Sequence, residues 1–287
     1  MMDGKICLIT GSTSGIGKEI ALGLARMKAT VILVGRSRGK CESASLEIIK
    51  RGAPNASKNN IACFEADLSS QASIHKLAYE FKSTYKRLDV LVNNAGVFLA
   101  KRMMTIDNIE YTFAVNHLAP FLLTNLLIDR LKAGGGQSRI ITTSSVAHKG
   151  AHIDFNDIQF VKRRYNGISA YGQSKLANIL FTKELARRLE QDHVTANCFH
   201  PGGVRTNLAS KNPWYYQLIW ALASPFLTSA EKGADTGIYL ASSSDLDGVT
   251  GKYFVKRKKI NPSKEATDQQ AAQNLWRISE ELTNIRS

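Results

Sequence analysis

The chain has 287 residues, 44% apolar and 22% charged, which supplies material for a sizeable core and excludes an intrinsically disordered protein. Its 38 Lys and Arg against 24 Asp and Glu leave a formal net charge of +14. Such an excess asks for an anionic partner: nucleic acid, a lipid headgroup or a phosphorylated cofactor. No run of ~18 apolar residues occurs, so no transmembrane helix is expected, and Lys5–Thr10 already reads as a strand, so no signal peptide is expected either. Cys7, Cys41, Cys63 and Cys198 show no zinc spacing and read as free thiols in a reducing compartment. Together these suggest a protein that is cytoplasmic or peripherally associated with a membrane.

Short aliphatic runs alternate with longer helical stretches. Strands are expected at 5–10, 30–35, 60–66, 88–93, 139–144, 194–200 and 251–255, nearly all apolar as befits strands buried on both faces. Helices are expected at 15–28, 39–51, 71–85, 108–132, 170–191 and 230–241, with a C-terminal helix within 262–285 whose Ala271, Leu275, Ile278 and Leu282 share a face. The alternation reads as an α/β fold, a doubly wound (Rossmann) parallel sheet of about seven strands with helices on both faces. With no repeat or low-complexity linker, residues 1–287 are read as one domain, and 207–229 as a lid too long for an ordinary connection.

The first strand runs into Gly11-Ser12-Thr13-Ser14-Gly15-Ile16-Gly17, which opens the first helix. Glycine at 11 permits a tight turn, Gly15 lets backbone approach a phosphate, and Gly17 lets helix pack closely on sheet. The helix N-terminus adds free N–H donors and a positive dipole end. The second strand ends at Arg36, where folds preferring NAD place an acid for the ribose hydroxyl. A guanidinium there suits a 2′-phosphate, with Arg38 and Lys40 adding to the field, so NADP(H) is the expected cofactor.

The spacing G-x-x-x-G-x-G resembles the signature of the short-chain dehydrogenase/reductase family, and the resemblance extends along almost the whole chain. Asp67-Leu68 follows the third strand, where the family holds adenine; Asn93-Asn94-Ala95-Gly96 ends the fourth; and Pro201-Gly202-Gly203-Val204-Arg205-Thr206 follows the sixth. The resemblance implies that these segments bind the dinucleotide. It also implies a catalytic set of Asn116, Ser145, Tyr171 and Lys175.

Residue chemistry supports that set. Tyr171 and Lys175 stand four apart on a predicted helix, so their side chains share a face. Lowering a phenol's pKa by ~3 units needs about 4 kcal/mol, which a close ammonium and an oxidised nicotinamide can provide. Tyr171 then exchanges a proton with the reacting oxygen as hydride moves, and Ser145 hydrogen-bonds that oxygen. Choosing Ser145 over Ser144 follows the family pattern. Between Ser145 and Tyr171, residues 148–168 exceed the usual family interval and are expected to loop out beside the pocket. His148 and His152 flank Gly150 there, which argues against a metal pair, and no metal is expected. Pro120 removes the N–H that would bond the Asn116 carbonyl, so a kink is expected. The family's proton relay, running from Tyr through Lys to a water on that carbonyl, gives the kink a purpose.

Residues 207–229 hold Trp214, Tyr215, Tyr216, Trp220 and Phe226, an apolar lid with Trp214 and Trp220 as substrate contacts. The run 171–178, His200-Pro201-Gly202, the lid and Leu275-Trp276 resemble the retinol dehydrogenase branch, which implies a lipophilic alcohol or carbonyl substrate such as retinol and retinal. Broad carbonyl or aldehyde reduction is the close competitor. The alternative of another class is a cofactor-binding sensor or scaffold without turnover. Nucleic acid, resting on charge alone, is not an expected partner. Lys256-Arg257-Lys258-Lys259 reads as a solvated loop or a peripheral membrane contact. Dimers and tetramers are usual for the family, so the resemblance implies an oligomer such as a homodimer, unless the C-terminal helix covers the surface for it.

Overall fold

The aliphatic runs form eight strands: β1 (Ile6–Thr10), β2 (Thr30–Gly35), β3 (Ile61–Glu65), β4 (Val90–Asn93), β5 (Ser138–Thr143), β6 (Val194–His200), β7 (Tyr253–Val255) and β8 (Lys258–Ile260). The structure, a computed structural model, describes residues 2–52, 54–134, 137–204 and 228–285. The strand order is β3-β2-β1-β4-β5-β6-β7-β8. All neighbours are parallel except β7 and β8. The order reverses between β1 and β4, and that switch point opens a crevice at the strand C-termini.

The eighth strand differs from the expectation. Lys256 and Arg257 both adopt left-handed φ, 49° and 62°, so the chain turns back within two residues and 258–260 pairs with β7. A lysine-rich run reads as loop, yet lysines suit an exposed sheet edge because they discourage further pairing.

The helices are α1 (Gly15–Arg26), α2 (Arg38–Gly52), α3 (Gln71–Thr84), α4 (Tyr111–Phe113), α5 (Ala119–Leu126), α6 (Ile128–Lys132), α7 (Gly167–Arg188), α8 (Ala230–Ser242) and α9 (Gln269–Thr283). Side chains alternate across the sheet. Cys7, Ile9, Val31 and Leu33 face α1, α2 and α8, while Leu8, Ile32 and Leu91 face α3, α5 and α7. The four thiols are free; Cys7, Cys41 and Cys198 are buried and Cys63 is half-buried.

The helix expected over 108–132 is broken. It begins at Tyr111, where the buried Glu110 carboxylate accepts the N–H groups of Thr112 (2.9 Å) and Phe113 (2.7 Å). Residues Ala114–Leu118 then form a π turn, in which the Ala119 N–H reaches back to the Ala114 carbonyl. The anticipated kink at Asn116 and Pro120 therefore takes the form of a wider turn. A second break at Leu127 separates α5 from α6.

At the C-terminus, α9 lies on α7 and buries Ala272, Leu275, Trp276, Ser279 and Thr283, while Ala271, Ile278 and Leu282 are partly buried. The buried stripe is wider than the sequence suggests because Trp276 stacks on Phe181 at 5.8 Å and meets Phe121 edge-on at 4.9 Å.

Candidate active site

The crevice at the switch point is a cleft of about 1000 Å³. One end is polar and basic, with Arg36, Ser37 and Lys40 along it. The loop from Gly11 to Ile16 lines the middle, and Ser145, Tyr171 and Lys175 stand at the other end.

Two glycines shape the middle. Gly11 has φ +66°, and a Cβ there would lie 2.9 Å from the Ala95 Cα. A Cβ on Gly17 would lie 2.5 Å from the Gly11 carbonyl oxygen, so any side chain would push α1 off the loop. Gly17 thus shapes the loop from behind without lining the cleft, whereas Ser14, Gly15 and Ile16 line it. Ser12 does not join them. It is fully buried, donating its hydroxyl to the Ile9 carbonyl (2.8 Å) and accepting the Val34 N–H (2.9 Å), and so ties β1 to β2.

At the basic end, Arg36 and Lys40 line the cleft but Arg38 does not. The Arg38 guanidinium bonds Glu42 on its own helix at 2.8 Å, so the field expected of three cations is that of two. Asp67 and Leu68 line the opposite wall, and the Asp67 carboxylate shapes its own turn by accepting the Ser69 N–H (2.9 Å) and hydroxyl (2.7 Å).

After β4 the four-residue motif divides. Asn94, Ala95 and Gly96 line the cleft, but Asn93 is buried and turns away to donate to Thr124 Oγ1 at 3.0 Å. Asn94 donates to the Thr10 carbonyl (2.9 Å), while the N–H groups of Asn94 and Ala95 both reach Thr10 Oγ1. These bonds lock the β1 and β4 loops together across the switch point.

Asn116, fully buried in the π turn, lies behind the cleft. Its Oδ1 accepts the Val97 N–H at 2.7 Å, and its Nδ2 donates to the Val97 carbonyl and to Ser174 Oγ, both at 2.9 Å. The amide therefore braces the loop after β4 against α7. Ser174 and Val97 were not singled out from sequence, since neither residue type stands out without its partner.

Ser145, Tyr171 and Lys175 converge from two elements. Ser145 follows β5 and caps a short 3-10 turn, Val146–His148, accepting the Ala147 N–H at 3.2 Å. Tyr171 and Lys175 come from α7, whose cap is Asn166. The Lys175 Nζ donates to the Thr143 carbonyl at 3.1 Å and lies 5.5 Å from the Tyr171 ring centroid. Ser144 is nearly fully buried and spends its hydroxyl on the Lys175 carbonyl at 2.8 Å.

Burial pushes the Tyr171 phenol up to about 12, and its hydrogen bond with Ser145 works in the opposite direction. Burial pulls Lys175 down to about 8. The phenolate expected from sequence is thus disfavoured by desolvation until an additional positive charge arrives in the cleft.

Near Tyr171 the walls become apolar. Phe98 meets the Tyr171 ring edge-on at 5.9 Å, and Val146 and Ile168 line the mouth while remaining 49% and 73% exposed. His200, Pro201, Gly202 and Val204 close the side after β6. Thr206, Trp214, Trp220 and residues 207–227 of the lid lie outside the described residues.

The segment 149–166 does not simply loop out. Ile158 and Phe160 are buried, and the Asp157 carboxylate gathers the N–H groups of Val161, Lys162 and Arg163 at 2.6 to 3.1 Å. This folded insertion delivers Ile168 to the cleft mouth. No helix among the described residues is long and apolar enough to cross a membrane.

A family model described as short chain dehydrogenase matches residues 5–215. Human retinol dehydrogenase 13 is 41% identical over 293 aligned residues, covering 99% of this chain and 86% of that protein. Mouse retinol dehydrogenase 12 is 42% identical over 283 residues, covering 99% and 87%. Among solved structures, an uncharacterised protein of Mycobacterium paratuberculosis superposes with a TM-score of 0.80 at 33% identity, covering 99% of this chain and 95% of that one. A Pseudomonas aeruginosa RhlG/NADP active-site complex gives 0.67 at 26% identity, covering 88% and 94%.

Proposed function

This chain belongs to the short-chain dehydrogenase family, and on that premise we propose that it is an NADP(H)-dependent oxidoreductase acting on a lipophilic alcohol/carbonyl pair, of the retinol/retinal kind or a wider range of carbonyls and aldehydes. The observation that carries the reading is a single cleft with Arg36 and Lys40 at one end and Ser145, Tyr171 and Lys175 at its apolar other end. The cleft fits a dinucleotide. A glycine turn with no room for a Cβ gives the phosphates backbone N–H groups and the positive end of α1, and cations stand where a 2′-phosphate would lie.

When bound, the nicotinamide supplies or takes up the hydride. In carbonyl reduction, Tyr171 gives its phenolic proton to the substrate oxygen, and a phenol pushed up to about 12 is fully loaded for that task. Ser145 donates to the same oxygen as negative charge develops on it. The Lys175 ammonium, held by the Thr143 carbonyl, stabilises the phenolate left behind. Asn116 holds the loop after β4 and α7 at a fixed separation through Val97 and Ser174. In alcohol oxidation the same groups act in reverse.

The apolar walls at Phe98, Val146 and Ile168 favour a hydrocarbon substrate, and the retinol dehydrogenase relatives point the same way. The test is a panel of retinal, steroids and medium-chain aldehydes with NADPH and NADH, using wild type and Tyr171→Phe. Turnover that falls at least ~10³-fold in the variant, with NADPH fluorescence titrations unchanged, supports the assignment. Equal turnover in both proteins refutes the role of Tyr171, and no turnover in either favours a cofactor-binding sensor.

A further inference from the structure

His148 is fully buried at the end of the 3-10 turn that follows Ser145. Its ring makes two hydrogen bonds of opposite sense. Nδ1 lies 2.6 Å from the Ser145 carbonyl oxygen, and Nε2 lies 3.2 Å from the Ser263 backbone nitrogen. A carbonyl can only accept and a backbone N–H can only donate, so the proton sits on Nδ1 and Nε2 offers its lone pair. Both ring nitrogens are committed, and a second proton would break the bond to Ser263. Burial opposes the imidazolium most strongly and holds the ring below its usual value, while the hydrogen bond to the Ser145 carbonyl pulls the other way. Lys149 adds to the burial effect, and Glu265 pulls least; Tyr253, edge-on at 5.1 Å, and His200 are the other titratable neighbours.

We propose that His148 is a positioning residue for the reaction described above: as a neutral, Nδ1-protonated imidazole it anchors the Ser145 carbonyl and braces it on the segment that links β8 to α9. The proposal rests on that functional reading. Among the described residues, the Ser145 carbonyl receives, besides the ring, only the longer 3.2 Å bond from the His148 backbone N–H. The Ser145 hydroxyl oxygen accepts the Ala147 N–H, which leaves its hydrogen for the cleft. Fixing the carbonyl fixes the Ser145 backbone, and with it the approach of the hydroxyl to Tyr171 and the reacting oxygen. An apolar side chain would fill the space but could not bond that carbonyl. The bond to Ser263 adds a second function, because it makes the catalytic loop depend on chain more than a hundred residues away.

The experiment compares His148→Asn, His148→Gln and His148→Leu. The Asn amide nitrogen occupies the place of Nδ1 and can still donate to Ser145, whereas Gln reaches only the place of Nε2 and Leu bonds neither. We expect Asn to keep kcat within roughly threefold, and Gln and Leu to lose roughly 10- to 100-fold in kcat with KM for NADPH within about twofold. Equal kcat in all three, a loss expressed in KM for NADPH, or kcat that merely follows melting temperature overturns the proposal. Nitrogen-15 NMR of the wild type gives a readout independent of turnover and of variant folding. A neutral Nδ1–H tautomer from pH 6 to 8 supports the anchor, and an Nε2–H tautomer or an imidazolium at pH 7 overturns it. Absence of wild-type turnover on the whole panel removes the functional reading, and the tautomer still decides whether the ring holds Ser145.

Discussion

Replacing Arg36 with Asp inverts a charge at the basic end of the cleft. A hydrogen bond from a guanidinium to phosphate contributes about 1.5 kcal/mol at an exposed position, the low end for charged partners. The new carboxylate adds repulsion of about 1 kcal/mol at 4 Å in a water-like dielectric. Together these amount to about 2.5 kcal/mol, or roughly a 70-fold loss in kcat/KM for NADPH. The same carboxylate can accept the ribose hydroxyls of NADH, a gain of about tenfold, so the preference ratio moves by nearly three orders of magnitude, or roughly 700-fold. Steady-state kinetics with both cofactors at two salt concentrations measure this directly, and in the wild type KM for NADPH should rise with salt more steeply than KM for NADH. Arg38→Ala is the internal control. Its guanidinium is engaged by Glu42 and does not line the cleft, so its effect should stay within about twofold. An Arg36→Asp variant that loses both cofactors equally, or neither, refutes the assignment of this end to a 2′-phosphate.

The other consequences concern protons. Lys175, pulled down to about 8, loses its ammonium as pH rises through that value while Tyr171 stays protonated. Carbonyl reduction should therefore be flat below about pH 7 and fall above it; Lys175→Arg should move the alkaline limb upward, and an unmoved limb assigns it to another group. His117 is nearly fully buried against Ser279, and burial pulls it down to about 3 from 6.5. Because the unfolded chain then binds the extra proton more tightly, folding stability should be complete above pH 6.5 and decline as pH falls toward 3, by up to about 5 kcal/mol. Urea denaturation of His117→Gln, which keeps a partner for Ser279, should show a shallower decline between pH 7 and 4. An identical decline would place the acid sensitivity elsewhere, with His200, held near 4 by burial, the next group to test.

Much of the architecture was legible along the chain because it is written in local rules. Buried parallel strands are unbroken aliphatic runs, and the turn after β1 carries its own glycines, so β1 through β7 and the loop at 11–17 lie close to where hydropathy and turn chemistry put them. Tyr171 and Lys175 share a face because helix geometry alone decides that. The departures come where a role depends on a partner distant in sequence. Asn93 and Asn94 are chemically the same, yet one points to Thr124 and the other into the crevice between β1 and β4. Ser12 sits among residues that line the cleft but is taken up by Ile9 and Val34.

What the sequence by itself determined is the alternation of strands and helices, the glycine turn after β1, the arginine after β2, and the shared helix face of Tyr171 and Lys175. Each follows from residue type at short spacing. Only the tertiary structure decided that the insertion after Ser145 is packed rather than looped out. It also decided that Asn116 braces Val97 and Ser174, and that His148 joins the Ser145 carbonyl to Ser263. These are hydrogen bonds between segments separated by up to 115 positions, and their existence depends on which faces the folded sheet brings together. Periodicity shows which side of an element is buried; only the folded chain shows what it is buried against.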